Sequence, residues 1–288
     1  MKNIICIALL LLSFSLFSQQ KEAFKIFSGN GNISSYDSLL NECENADFVF
    51  FGELHDNPIA HWLEFELTRD LYSIKKNNLV VGAEMFEADN QLILSEYLQG
   101  KLNDKKFEEE EIQWPNYKTD YKPFVVFCKE NKIPFIATNI PRRYASMVSK
   151  SGFEVLDSLS AEAKSYIAPL PITYNENLSC YKSMLNMQGM GGMHSSTNLP
   201  KAQAVKDATM CYFICKNWKQ GNLFLHFNGS YHSNNYEGIV WYLKNEKKNS
   251  KIIVINTVTQ SNISKLDNEN KSTGNYIICV PESMTRTQ

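Results

Sequence analysis

The sequence has almost no net charge: 29 Lys and Arg stand against 31 Asp and Glu, leaving −2. No basic cluster stands out beyond Arg142-Arg143 and Lys247-Lys248. Without a basic patch to meet phosphates, nucleic acid is excluded as a partner class. Past the N-terminus, no stretch reaches the roughly 18 continuous apolar residues a membrane span needs. Nor is there a cysteine where a lipid would be attached. Cys6 is too early, so a lipid anchor is not expected.

The apolar run that does exist is an address. Lys2 supplies a positive charge, residues 4–12 are almost wholly apolar, and Ser13, Ser15 and Ser18 lead to a cleavage point near Ser18-Gln19. This reads as a secretory signal peptide over 1–18, which places a soluble mature chain in the periplasm or outside the cell. Residues 19–288 are then expected to form a single domain; their number and the 43% hydrophobic content allow a large core. Six cysteines remain after cleavage, an even number that permits disulfides in an oxidising compartment and also fits buried thiols. Cys211 and Cys215, four apart on an expected helix, suit two thiols better than a bridge.

The stretch Gly52-Glu53-Leu54-His55 organises the reading. It follows Phe48-Val49-Phe50-Phe51, whose lack of any polar residue indicates a strand buried on both faces. Asn57 before Pro58 is a good N-cap and first helical position, and Ile59, Trp62, Leu63, Leu67 and Leu71 then recur at helical spacing. A second copy, Gly229-Ser230-Tyr231-His232, ends another apolar run at 223–227. Further strands are expected at 79–85, 133–140, 251–258 and 276–280, with helices between them and at 36–43. Residues 19–45 are otherwise a loose lead-in. Strands spaced by helices predict an α/β fold with a mostly parallel central sheet flanked by helices. Residues from about 141 to 198 read as a helical cap insertion over the sheet edge.

Parallel strands would put Glu53 and His55, Glu84, Asn139 and His232 on one edge, where open α/β sheets bind ligands. His55, His232 and Glu84 make a divalent-metal set for Mn, Co or Zn. The same groups with Glu53 could instead act as general acid and base. His61 falls off the Trp62/Leu63 stripe and is expected to be a solvated helix residue, and His226 a core residue. Met184, Met187, Met190 and Met193 are interleaved with Gly189, Gly191 and Gly192, which predicts a loop. With His194 closing it, this loop reads as an apolar lid over a flat ligand rather than a Cu(I) site. Tyr144, beside Arg142 and Arg143, offers a phenolate for ferric haem and guanidinium groups for its propionates.

Five segments in order carry a resemblance: Phe-Gly-Glu-Leu-His-Asp-Asn-Pro-x-x-His, Gly-Ala-Glu-Met-Phe-Glu, Asn-x-Pro-Arg-Arg-Tyr, Gln-Ala-x-x-Asp-Ala-Thr-Met and Asn-Gly-Ser-Tyr-His-Ser. Over about residues 46–258 the chain resembles the ChaN-like haem-binding uptake proteins, in a superfamily with the Tiki metalloproteases and erythromycin esterase-like enzymes. The resemblance implies an exported haem-binding protein of iron uptake, with two haems between two subunits of a homodimer and a tyrosine on iron. Tyr144 matches the family segment. An outer-membrane haem receptor is the further partner such a role suggests. The superfamily also implies that Glu53, His55, Glu84 and His232 mark an ancestral active site. A metal-dependent hydrolase, peptidase or esterase, therefore stands as the alternative to the haem binder. Some relatives are lipoproteins; the missing lipid cysteine departs from that pattern.

Overall fold

A computed structural model describes residues 21–111, 114–187 and 197–287. The expected signal peptide, Met190, Met193 and His194 lie outside them. The architecture is α/β, with a seven-stranded sheet in the order β1-β7-β6-β2-β5-β3-β4. The strands are β1 (Lys25–Ser28), β2 (Phe48–Glu53), β3 (Leu79–Glu87), β4 (Phe135–Asn139), β5 (Leu223–Gly229), β6 (Ile252–Gln260) and β7 (Tyr276–Pro281). All neighbours pair in parallel except β1, which runs antiparallel to β7.

The unbroken apolar run of β2 is explained by its central place between β5 and β6. Its side chains alternate between two cores, as the two-residue repeat of a strand requires. Val49 and Phe51 pack with α1 (Tyr36–Glu44), α2 (Pro58–Lys75) and α5 (Lys122–Asn131). Phe48 and Phe50 pack with α9 (Leu199–Asn217) and α10 (Ile239–Glu246) on the other face. Between β3 and β4 lie α3 (Gln91–Leu98) and α4 (Asp104–Glu110). After β4 come α6 (Arg142–Ser151), the short α7 (Ala161–Lys164) and α8 (Ser179–Met187). Ile140, Tyr144, Ala145 and Val148 pack there against Ala202 and Val205 of α9.

Three expectations are corrected. The lead-in contains strand β1, which the sequence reading missed. Met184 and Met187 lie in helix α8 rather than in a loop. His61 is buried at 4% exposure, whereas Trp62 is 47% exposed. The polar residues His61, Glu64 and Thr68 thus share the inward face of α2 with Leu63, Leu67 and Leu71. The question of disulfides is also answered: the six cysteines among the described residues are free thiols, with Cys211 and Cys215 sulfurs 4.0 Å apart.

α2 starts at a well-made cap. Asn57 Oδ1 accepts from the backbone N–H of Ile59 at 3.0 Å and of Ala60 at 3.1 Å, with Pro58 as the first helical residue. An N-cap of this kind stabilises by about 1 kcal/mol. Asn57→Ala should therefore lower the urea midpoint by about that amount of free energy, with an unchanged m-value.

Candidate functional site

The turn after β2 builds the first half of the site. Glu53, the last residue of β2, is buried, and Tyr121 donates its hydroxyl to Glu53 Oε1 at 2.7 Å. His55 Nδ1 stands 2.7 Å from the same oxygen. Facing a carboxylate, this nitrogen donates, which leaves Nε2 turned away from Glu53. Trp114 covers the imidazole at a ring separation of 4.6 Å, and Asn116 donates to the His55 carbonyl at 2.7 Å. Burial opposes ionisation of both partners. Even so, their hydrogen bond prevails, holding Glu53 low and His55 raised.

Behind Glu53 lies a buried polar cluster. His61 Nδ1 is 3.1 Å from Glu64 Oε2 and 3.6 Å from Glu53 Oε2. Its Nε2 is 3.1 Å from the His55 carbonyl and 3.5 Å from Asp120 Oδ2. Burial, and then the charge of Glu53, push Glu64 well above the usual carboxylate range.

The end of β5 supplies the second half. The backbone N–H of Gly229 donates to Glu84 Oε2 at 2.8 Å. Glu84 Oε1 is 3.1 Å from His232 Nε2, and His232 Nδ1 is 2.5 Å from Asp207 Oδ1 on α9. Tyr181 of α8 donates to the other Asp207 oxygen at 2.8 Å. Gln203, one turn before Asp207, lays its amide against the ring, 3.0 and 3.1 Å from its two nitrogens. Burial disfavours a charged His232, but the charges of Glu84 and Asp207 outweigh it and push its pKa up to about 9. Glu84 is held well below the usual carboxylate range, against burial, by the His232 charge and hydrogen bond.

Gly229 joins the halves. A Cβ there would lie 2.7 Å from His55 Nε2 and 3.5 Å from Glu84 Oε2, so only glycine lets the ring come this close. Gly52 plays the reciprocal part, with Ser230 Cα 3.0 Å from where its Cβ would be. The chain thus brings His55, Glu84 and His232 together across Gly229. At neutral pH His232 carries protons on both nitrogens, so a metal at Nε2 must first displace the proton that pairs it with Glu84.

Glu53, His55, Glu84 and His232 line one pocket of about 560 Å³ at the carboxyl edge of the sheet, with Asn139 among its walls. Trp114, Met85 and Ile140 provide apolar surface, and Arg142 and Lys206 provide positive charge. Tyr231, 44% exposed, presents its phenol there. Tyr144 does not line this pocket. It is 9% exposed, in the core under α6, with the Arg143 guanidinium 4.4 Å over its ring. Arg143 is itself paired with Asp89 at 2.6 Å. Sequence reasoning missed Asp207, Gln203, Tyr121, Tyr181 and the His61–Glu64–Asp120 cluster. The signal available for Asp207 and Gln203 was their spacing of four on a largely apolar helix.

Fold and pocket define an α/β protein that places two carboxylate-held histidines at the carboxyl edge of a mostly parallel sheet. The chain belongs to the family described as haem-binding uptake, Tiki superfamily, ChaN, whose model matches residues 39–243. Among solved structures it is similar to ChaN of Campylobacter jejuni, a protein described for cofacial haem binding. The TM-score is 0.65 at 19% identity, over 92% of this chain and 97% of that one. It is also similar to an erythromycin esterase in its open conformation, with TM-score 0.52, 10% identity and coverage of 88% and 94%. A curated relative, the chloroplastic protein RETICULATA-RELATED 5 of Arabidopsis thaliana, is 25% identical over 182 residues, 59% of this chain. The matched part is 24% of that relative. The structural likenesses, all below a quarter identity, establish the fold.

The raised His232 pKa sets a pH dependence. Its folded value of about 9 lies above the unfolded value of about 6.5. The stabilisation by the imidazolium is therefore full below about pH 6.5 and is lost as pH rises through about 9. Denaturation curves at about pH 6 and pH 9.5 should show this loss, of order 2–3 kcal/mol, and His232→Gln should abolish the difference. Gly229→Ala should displace His55, and the His55 imidazole resonance in NMR spectra should then titrate like an exposed histidine.

Proposed function

We propose that this chain is an exported haem-binding protein of haem and iron uptake, holding haem at the pocket on the sheet's carboxyl edge. The observation that carries the reading is membership of a haem-binding family over most of the chain. The pocket residues fit the ligand. Tyr231 offers a phenolate oxygen, Arg142 and Lys206 offer partners for propionates, and Trp114, Met85 and Ile140 offer apolar contact. Bound haem would supply the iron centre; the protein's part is to orient it and to neutralise its carboxylates. Export rests on the leader at 1–18. A homodimer is supported by the cofacial haem of the Campylobacter protein, and an outer-membrane receptor is the partner the uptake role calls for.

Haemin titration of the mature chain should give a Soret band that saturates at about one haem per chain. Tyr231→Phe should shift the band and weaken binding about tenfold or more, while Tyr144→Phe should leave both unchanged. No spectral change with micromolar haemin would end the reading. Loss in Tyr144→Phe alone would move the iron ligand to the buried tyrosine.

A hydrolytic reading of the same edge rests on one feature: His55 Nδ1 is held by Glu53 while Nε2 faces the pocket. This is the arrangement of a general base and its orienting carboxylate. Ester and peptide substrates turned over by the wild type and not by His55→Ala would support it. Equal background rates in the two proteins would remove it.

A further inference from the structure

We propose that Glu53, His61 and Glu64 form a second site, behind the pocket and sharing Glu53 with its wall, that binds one small divalent cation of the Mn, Fe, Co or Zn class. One ligand atom from each lies within 4.8 Å of the other two, and all three residues are buried. The inference is independent of haem binding.

Donor and acceptor accounting carries it. His61 Nε2 meets a backbone carbonyl, that of His55, and a carboxylate, that of Asp120. Both only accept, so Nε2 holds a proton, and Nδ1 is the nitrogen left to ligate. It faces Glu64 Oε2 at 3.1 Å and Glu53 Oε2 at 3.6 Å. Glu53 Oε1 is already satisfied by Tyr121 and His55, whereas Glu53 Oε2 and Glu64 Oε1 have no hydrogen-bond partner although fully buried. One imidazole nitrogen and two carboxylates thus converge, and two buried carboxylate oxygens have no hydrogen-bond partner. Such groups must be neutralised by a cation or a proton, since an uncompensated buried charge costs several kcal/mol.

The spacing suits a cation. Ligand atoms about 2.0–2.2 Å from a tetrahedral ion stand about 3.3–3.6 Å apart. One imidazole with two carboxylates and no thiolate selects a borderline or hard divalent ion over Cu(I). Two carboxylates neutralise its charge. Tyr121 and His55 hydrogen-bond the non-ligating oxygen of Glu53, which fixes the direction of the other. Enclosure by α2 and Tyr121 implies that the ion is taken up on folding and exchanges slowly. The competing arrangement places a proton on Glu64, which burial and Glu53 already favour when no cation is present.

The two arrangements respond oppositely to Glu64→Gln. The amide copies a protonated carboxyl and removes an anionic ligand. Full-length mature protein purified without chelator, analysed for metals and then stripped and titrated with Mn²⁺ and Zn²⁺, should bind about one equivalent per chain. Stripping should lower Tm. Glu64→Gln and His61→Ala should lose the ion, and Tyr121→Phe should bind it about 10–100-fold more weakly. His232→Gln should retain it. The proposal is overturned if the stripped wild type takes up neither ion and its Tm ignores chelator. It is equally overturned if Glu64→Gln binds metal as the wild type does, or if His232→Gln loses the ion while Glu64→Gln keeps it. Haemin binding by the stripped chain is scored separately by its Soret band.

Discussion

The buried carboxylate of Glu53 is the constraint on which this edge of the molecule depends. It ends a strand buried along its whole length, where a charge is tolerated only when surrounded by donors. Tyr121, from the turn before α5, and His55, from the turn before α2, supply those donors to one oxygen. The other oxygen looks toward His61 and Glu64 on α2. The turn after β2, helix α2 and, 68 residues away, Tyr121 are therefore all locked to one side chain. The apolar packing of β2 against helices on both faces makes the carboxylate deeply buried. The polar contacts make that burial tolerable. The orientation of His55 follows from both.

The repeated Gly-x-x-His pattern serves the same geometry from the neighbouring strand. β2 and β5 pair in register from Phe48 with Phe224 through to Glu53 with Gly229. The two glycines consequently arrive one register step apart at the strand ends, and each clears space for a residue that follows the other strand. This is why two histidines 177 positions apart in the chain can share one pocket without a long loop to carry either.

Much of this was legible before any coordinates. The strands β2, β3 and β5 announce themselves by apolar runs too long to be half-buried, and the edge they share follows from parallel pairing. Other features were not legible for stated physical reasons. β1 is a four-residue antiparallel edge strand with only its middle residues buried, too short to show a period. His61 and Trp62 were exchanged because hydrophobic periodicity assigns the inward face to the larger apolar ring. In the structure the inward face of α2 is set by what Glu53 requires, and Trp62 turns out to meet Phe24 at 5.9 Å. Asp207 sits in a helix whose other inward residues are mostly apolar, so its purpose is visible only once His232 is placed against it. Tyr144 was read from its arginine neighbours, yet its ring is taken up by the packing of α6 on α9.

The two imidazoles, alike in sequence, end in different chemical states. His232 is gripped from both sides, by Asp207 and by Glu84, and each carboxylate has a further donor of its own in Tyr181 or the Gly229 N–H. Such a ring is an anchored cation that fixes Glu84 and tilts the pocket's field toward anions. His55 has one carboxylate partner and a second nitrogen free of it, half covered by Trp114. Of the two imidazoles, His55 is therefore the one able to transfer a proton or ligate, while His232 acts by charge and position. An anionic ligand gains from that division whether it is haem, whose propionates need cations, or an ester, whose developing oxyanion does. The asymmetry arises from one helix: α9 brings Asp207 to the second histidine, and among the hydrogen bonds of the first no residue plays the same part.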